Sequence, residues 1–406
     1  MSRSSDTMRA IAQFGLLPQE EMLEVATRNS QLNIGIPKEI SADENRIALV
    51  PEAVSLLVNN GHSVIIESEA GKFANYHDRD YSEAGAQIVY DTKEVYEKSN
   101  IIMKVAPPSE VEIGYLQPKQ CLISTLQLAV QPKDFLSKLI ERKVTALAYE
   151  SIMDEDGIFP VIRSMSEIAG NTSISIAAEY LSNVNKGQGM MMGGISGIPP
   201  TEVVILGAGT VGEFAARSAL GLGASVKVFD NSIYKLRRLQ NDLGIRIYTS
   251  ILRPNILAQV LRKADVVVGA IRATEGRAPC VITEEMVSEM KVGSVIIDVS
   301  IDHGGCSETS KVTTHADPVY REYGVVHYCV PNIASRVSKT ASQALSNIFA
   351  PILLQVGNNG GIDQILRRNK GVRNGVYLYN GILTSKYLGE TFHLPYKNLD
   401  LLVAAF

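Results

Sequence analysis

The chain has 406 residues, 45% of them hydrophobic and 20% charged, with a net charge of −4. This length holds two or three domains, and the balance is that of a globular protein, without the basic excess of a nucleic-acid or membrane-surface binder. No apolar run reaches the roughly 18 residues of a membrane span, and Cys121, Cys280, Cys306 and Cys329 form no CxxC or metal-ligand spacing, which fits a reducing, cytoplasmic setting with no metal site.

Residues 1–31 lack a secretory core and carry acidic residues through their second half. Ile11, Phe14 and Leu17, then Met22, Leu23 and Ala26, suggest two short amphipathic pieces broken near Pro18. They read as a surface extension that packs on its own domain or on a neighbouring subunit.

From residue 32 onward, strand and helix signals alternate. "LNIGIPKE" is followed by the helical "VPEAVSLLVNNG", the strand "SVIIESEA", the helix "TKEVYEKS" and the strand "NIIMKV". "CLISTLQL", the helix "PKDFLSKLIERK" and the strand "VTALAYE" follow. Short runs rich in Val and Ile between helices predict a parallel sheet covered on both faces. Residues 32–160 therefore read as the first part of one α/β domain, and this part has no phosphate-binding glycine loop. A long helix is expected over about 164–184, then a structured glycine- and proline-rich crossing, "KGQGMMMGGISGIPP". A second α/β unit contains "EVVIL", "SVKVFD", "RIYT", "DVVVGAI", "SVIIDVS" and "VVHYCV", which places a second domain at 161–338. The apolar helix "SKTASQALSNIFAPILLQVG" and the tail "VYLYNGILTSKYLGETF" give 339–406 as a return to the first domain.

Gly207-Ala208-Gly209-Thr210-Val211-Gly212 fits GxGxxG between a strand and a helix, and Asp230 ends the next strand. In that context Gly207 permits the tight turn, Gly209 the approach of a pyrophosphate, and Gly212 close helix–strand packing. The helix N-terminus offers free N–H groups to the anion. Asp230 would accept from ribose hydroxyls and repel a 2′-phosphate, which favours NAD over NADP. Lys235 reads equally as a ribose contact or a solvated lysine. In the first domain, Arg46 lies in the apolar context "ENRIALVP" and Lys104 ends "NIIMK" before a turn. A guanidinium and an ammonium suit a small carboxylate substrate; an ordinary surface ion pair is the alternative for each. His62, His77 and His315 read as structural or exposed, "MMM" at 190–192 as packing, and Cys306 as a small buried residue.

Together "GIPKEI...ENRIALVPEAV", "IIMKV", "MSEIAG", "GGISG", "VVILGAGTVG" and "IDVSIDHGGC" resemble the alanine dehydrogenase and nicotinamide nucleotide transhydrogenase α-subunit superfamily over about residues 32–400. The resemblance implies two Rossmann-like doubly wound domains, with an NAD domain inserted into a substrate domain, and a homo-oligomer, hexameric or dimeric. It implies that Arg46 and Lys104 bind the substrate carboxylate and carbonyl, that Asp302 positions ammonia or water, that Ser166 touches the cofactor pyrophosphate, and that Asn332 sits near the nicotinamide. Asp302 in "SIDHGG", and the lack of a long mobile loop, favour the dehydrogenase branch. "KVAPP" is closer to the transhydrogenase branch.

One departure bears on chemistry. Gln127 in "STLQLAV" stands where alanine dehydrogenases carry a catalytic histidine, and His303 stands where they carry glutamine. Glutamine can hydrogen-bond a carbonyl but shuttles no proton near neutral pH. His303 beside Asp302 is the candidate replacement. The expected activity is reversible NAD-dependent oxidative deamination of L-alanine to pyruvate and ammonium. A transhydrogenase-like subunit, a dehydrogenase of another amino or keto acid, and a non-catalytic NAD-binding regulator are the alternatives.

Overall fold

The computed structural model describes residues 30–127, 131, 134–272 and 277–404. The amphipathic pieces expected before residue 30 lie outside them. The elements in chain order are β1 (Asn33–Ile36), α1 (Pro51–Asn59), β2 (Ser63–Glu67), α2 (Asp78–Glu83), β3 (Gln87–Val89), α3 (Thr92–Lys98), β4 (Ile101–Met103), α4 (Glu110–Tyr115), β5 (Cys121–Ser124), α5 (Phe135–Glu141) and β6 (Thr145–Ala148). The long helix α6 (Pro160–Leu181) leads to β7 (Glu202–Leu206), α7 (Thr210–Gly221), β8 (Ser225–Phe229), α8 (Ile233–Leu243), β9 (Tyr248–Ser250), α9 (Pro254–Leu261), β10 (Val266–Gly269), α10 (Glu284–Ser288), β11 (Val295–Asp298), β12 (Val319–Glu322) and β13 (Val325–Tyr328). Then come α11 (Ser338–Asn358), α12 (Ile362–Arg368), α13 (Lys370–Asn374), β14 (Val376–Tyr379), β15 (Ile382–Leu383), α14 (Lys386–Phe392) and α15 (Leu399–Ala404).

Two sheets result. One has the order β15-β14-β6-β5-β4-β1-β2-β3, the other β12-β13-β11-β10-β7-β8-β9. The central strands are parallel, and their apolar runs are buried on both faces, as in β4, β10 and, up to its final Asp298, β11. The second sheet closes with the antiparallel β12, and the first with antiparallel β14 and β15, so neither is purely parallel. The C-terminal strands pair with β6 and thus complete the sheet begun at residue 33.

Helix α6 starts at Pro160 and ends at Leu181, earlier at both ends than the pattern indicated. Proline suits the first helical turn, where its missing N–H is no loss. In the crossing that follows, only Met192 of the three methionines joins a core, and Met191 is exposed. Cys280 is exposed, whereas Cys306 is fully buried, as its small apolar setting indicated. Among the described residues, no helix is long and apolar enough to cross a membrane.

Candidate active site

Open α/β sheets bind ligands at strand C-termini where the strand order reverses. In the second sheet the reversal lies between β7 and β10, which both flank the glycine loop. Gly207 has φ +112, and a side chain on it would overlap the Ala270 carbonyl after β10. A methyl on Gly212 would overlap the Gly207 carbonyl oxygen, while Gly209 faces open space. The first helical bond of α7 runs from the Glu213 N–H to the Gly209 carbonyl, 2.9 Å. The N–H groups of Thr210, Val211 and Gly212 come before it and point out of the helix N-terminus. Asp230 accepts from the Ala208 N–H at 2.8 Å and the Ser232 N–H at 2.7 Å, which ties the loop to the end of β8. These residues fit a dinucleotide. Lys235 is exposed on α8; the cation that reaches the loop is Arg238, one turn on, which donates to the Ala208 carbonyl at 3.4 Å.

The first sheet reverses between β1 and β4. Lys104, just past β4, is fully enclosed, with its ammonium 2.8 Å from Glu112 and 3.1 Å from Glu39, which follows β1. Arg46 is buried too, with Nε 2.7 Å from Glu44 Oε1 and Nη2 2.6 Å from Oε2; its Nη1 donates to the Met165 sulfur at 3.3 Å. Neither cation is a surface ion pair. Burial acts to lower both cationic pKa values, but Glu44 for Arg46, and Glu39 and Glu112 for Lys104, reverse the sign and hold both cations protonated. Glu39 has to share its ammonium with Glu112. Burial outweighs that share, and its carboxyl is pushed up to about 7.

The segment around Arg46 is pinned by a serine ladder. The Ile47 and Val50 N–H groups donate to Ser342 Oγ at 2.9 Å and Ser346 Oγ at 3.0 Å, both on α11. The same segment is strapped to the second sheet. Asn45 N–H donates to Ser335 Oγ at 2.8 Å, the His315 N–H to Asp43 at 3.1 Å, and Asn332 Nδ2 to Glu44 at 3.0 Å. Asn332, in a left-handed conformation (φ +56) after β13, also donates its N–H to Asp302 at 3.0 Å. Arg46, Glu44, Asn332 and Asp302 thus form one continuous chain between the two halves.

Asp302 lies in a 3₁₀ turn, Val299–His303, held by Asp298 at the end of β11. Asp298 accepts from the Ser300 and Cys306 N–H groups (3.0 and 2.9 Å) and from Ser310 Oγ (2.6 Å). Asp302 is open to the cleft, yet the protein crowding its carboxyl raises its pKa; the Asn332 N–H, His303 and Arg46 act in the opposite sense. The His303 side chain is exposed beside it. Gln127 is exposed past β5 with φ +43, two residues beyond Thr125, which donates to the Val105 carbonyl at 3.0 Å; this places it at the edge that carries Lys104. Ser166 is half-buried on α6, next to Met165.

Glu39, Glu44, Glu112 and the serines at 335, 342 and 346 were not singled out by sequence. Glu44 had a signal: a carboxylate two residues before an arginine can accept both its backbone N–H and its guanidinium, as Glu44 Oε1 does at 3.0 and 2.7 Å. A broad depression of about 1380 Å³, lined by Arg368, Lys370 and Arg373 among others, contains none of the candidate residues.

One sheet carrying a glycine-rich dinucleotide turn, joined at its ligand edge to another carrying two buried cations, defines a two-domain dinucleotide-dependent dehydrogenase. Comparison with known proteins narrows this class. Residues 35–169 match the family description "Alanine dehydrogenase/PNT, N-terminal domain" and residues 173–386 match "Alanine dehydrogenase/PNT, C-terminal domain". The chain is 39% identical over 370 residues to alanine dehydrogenase 2 of Staphylococcus aureus (strain USA300), which covers 91% of this chain and 99% of that protein. A solved L-alanine dehydrogenase superposes with a TM-score of 0.84 at 35% identity, covering 89% of this chain and 99% of the other. A transhydrogenase from Sinorhizobium meliloti shares the fold, with a TM-score of 0.74 at 23% identity. The chain belongs to the alanine dehydrogenase/PNT family.

Proposed function

We propose that the protein catalyses the reversible NAD-dependent oxidative deamination of L-alanine to pyruvate and ammonium. The observation that carries this reading is the unbroken chain from Arg46 through Glu44 and Asn332 to Asp302, which joins a carboxylate-binding cation to the dinucleotide half. NAD supplies the acceptor for the hydride that leaves Cα. Arg46 holds the substrate carboxylate, and Lys104 polarises the carbonyl or carbinol oxygen. Asp302 takes the proton that the alanine ammonium must lose before Cα can be oxidised, and then orients the water that adds to the imine. Ammonium leaves, and the balance is one water consumed and one proton released. Gln127 donates to the carbonyl oxygen, and His303 exchanges protons with Asp302. Asp230 selects NAD by occupying the space of a 2′-phosphate with negative charge. The protein works as a homo-oligomer, with residues 32–160 and 339–406 serving the substrate and 161–338 the cofactor.

The test is NADH oxidation by the purified protein with pyruvate and ammonium, beside glyoxylate and larger keto acids, from about pH 6 to about pH 10. Pyruvate turnover above the others supports the reading. Gln127 favours a second reading, NAD binding without turnover. NADH binding by calorimetry with no oxidation on any substrate would establish that one instead.

A further inference from the structure

Five ionisable side chains are enclosed together at the switch point of the first sheet: Glu39, Glu44 and Glu112 against Arg46 and Lys104, none more than 7% exposed. Their partners are unequal. Glu44 is satisfied on both oxygens by Arg46 and by Asn332. Glu112 accepts from Lys104 at 2.8 Å, from the Tyr96 hydroxyl at 3.3 Å and from the Ser109 N–H at 2.8 Å. Among the described residues, Glu39 accepts the Val105 N–H, 2.5 Å, on Oε1, while its Oε2 lies 3.1 Å from Lys104 without an aligned hydrogen bond. Three buried carboxylates against two cations leave one negative charge over, and Glu39 is the carboxylate with the least to hold it.

A substrate carboxylate adds a second negative charge in the same enclosed space. Building on the alanine dehydrogenase reading, we infer that Glu39 takes up a proton from solvent when a keto acid binds and releases it when the keto acid leaves. The proton offsets the charge of the arriving anion. It also removes Glu39 as a claimant on Lys104, and so frees an N–H of a fully enclosed ammonium to turn toward the substrate oxygen. Glu39 acts through Lys104 and is a positioning residue.

The groups that face Glu39 favour this assignment. Lys104 past β4 is the cation that lowers its pKa, and it is shared with Glu112 of α4. Glu44 raises it, and Arg46 beside Glu44 is already engaged by that carboxylate. Burial keeps the phenols of Tyr96 on α3 and Tyr149 past β6 neutral, their pKa values raised well above the ordinary range. On its own segment, Lys38 pairs with Glu69 at 3.0 Å rather than with Glu39.

Pyruvate binding to the protein–NADH complex without ammonium, followed by calorimetry in two buffers of different ionisation enthalpy, counts the protons taken up. Near pH 8 the wild type is expected to take up close to one proton, and near pH 6 almost none. Above about pH 7 its Kd for pyruvate should weaken by up to about tenfold per pH unit. Glu39→Gln should take up none and hold a pH-independent Kd; Asp302→Asn should keep the wild-type count. Infrared difference spectra of the unliganded protein between pH 6 and pH 9 supply a readout that needs no substrate. A protonated-carboxyl band should be lost on raising the pH in the wild type, and the loss should be smaller by one carboxyl in Glu39→Gln, where Asp302 and Glu150 remain. The same proton count in wild type and Glu39→Gln, or the same band loss in both, overturns the inference while the alanine dehydrogenase reading stands. Failure of pyruvate to bind or turn over overturns both.

Discussion

Gly170 lies in the middle of α6, where that helix crosses the first turn of α7. Replacing it with alanine sets two effects of opposite sign against each other. In a helix interior, alanine is favoured over glycine by about 0.5–1 kcal/mol. The new methyl, however, would overlap the Val211 carbonyl oxygen and come 2.8 Å from Phe214 Cβ and 2.9 Å from the Ala215 nitrogen. Ordinary contact begins near 3.4 Å, so relieving the Val211 oxygen requires the helices to part by about 1 Å. Two of the three atoms are backbone and cannot rotate away. Overpacking of this kind costs about 1–3 kcal/mol, so it wins. Gly170→Ala is expected to lose about 1–2 kcal/mol net and to melt about 1–3 °C lower.

The same strain reaches the dinucleotide turn, because α7 carries the N–H groups that would hold the pyrophosphate. If about 1–2 kcal/mol of it falls on that turn, NADH binding weakens by roughly 5- to 30-fold. Thermal denaturation and calorimetric NADH titration measure the two effects separately. Gly221→Ala, at the end of α7 with nothing near the new methyl, is the control and should melt as high as wild type or slightly higher. If Gly170→Ala melts as high as that control and binds NADH like wild type, helix propensity has won. The close α6–α7 contact would then have no part in shaping the site.

Asp230→Ala leaves the Ala208 and Ser232 N–H groups without their acceptor and should weaken NADH by roughly 10- to 100-fold, while NADPH gains relative to it; titration with both cofactors decides this. Arg46→Lys cannot reproduce the two-pronged contact with Glu44 and is expected to raise the pyruvate KM by about 10- to 100-fold, with a smaller change in kcat, read from initial rates. Glu39 also governs stability. Its folded pKa of about 7 lies above the ordinary 4.5, so the folded state binds the proton more tightly between them. Its contribution is full below about pH 4.5 and is lost as pH rises through about 7, at most about 3 kcal/mol. Glu39→Gln should therefore be more stable than wild type near pH 8 and equal near pH 5 in denaturant titrations; parallel curves at both pH values would contradict this.

The alternation of elements was legible because the central strands are buried on both faces, and such strands need continuous Val and Ile runs, as in "VVVG" of β10 and "VIID" of β11. The edges were less so. β15 has two residues and β3 only three, too few for a period to show. The helix α4 was missed although it opens with a capping box, Ser109 and Glu112, since its six residues barely exceed one turn. The glycine loop was readable because steric need confines Gly207 and Gly212 to glycine, while Gly209 leaves open the space a pyrophosphate would take. Lys235 was less secure, as its distance from the loop depends on which face of α8 it occupies, and Arg238 holds the better position. The charge cluster was hardest. Glu39 and Glu44 follow β1 while Lys104 and Glu112 follow β4, and only the adjacency of those two strands brings them together.

Carboxyls of raised pKa stand on both walls of the cleft: Glu39 on the substrate side, with Glu150 beside Gln127, and Asp302 on the dinucleotide side. Burial is the main cause for each, but the surroundings of Glu39 and Asp302 differ. Asp302 is open to the cleft and tied by one N–H to Asn332, so it can meet the nitrogen or water of the substrate directly. Glu39 is walled in behind Lys104 and can respond to the substrate only through charge. Asn332 touches both sides, donating to Asp302 by its backbone and to Glu44 by its side chain. Any substrate that draws Arg46 from Glu44 therefore alters the hold on Asn332, and with it the position of Asp302. On the proposed reading, the contact through which Arg46 would hold the substrate carboxylate also aligns Asp302, the proposed proton acceptor. An amine lacking that carboxylate should then fail in turnover even when it can enter the cleft.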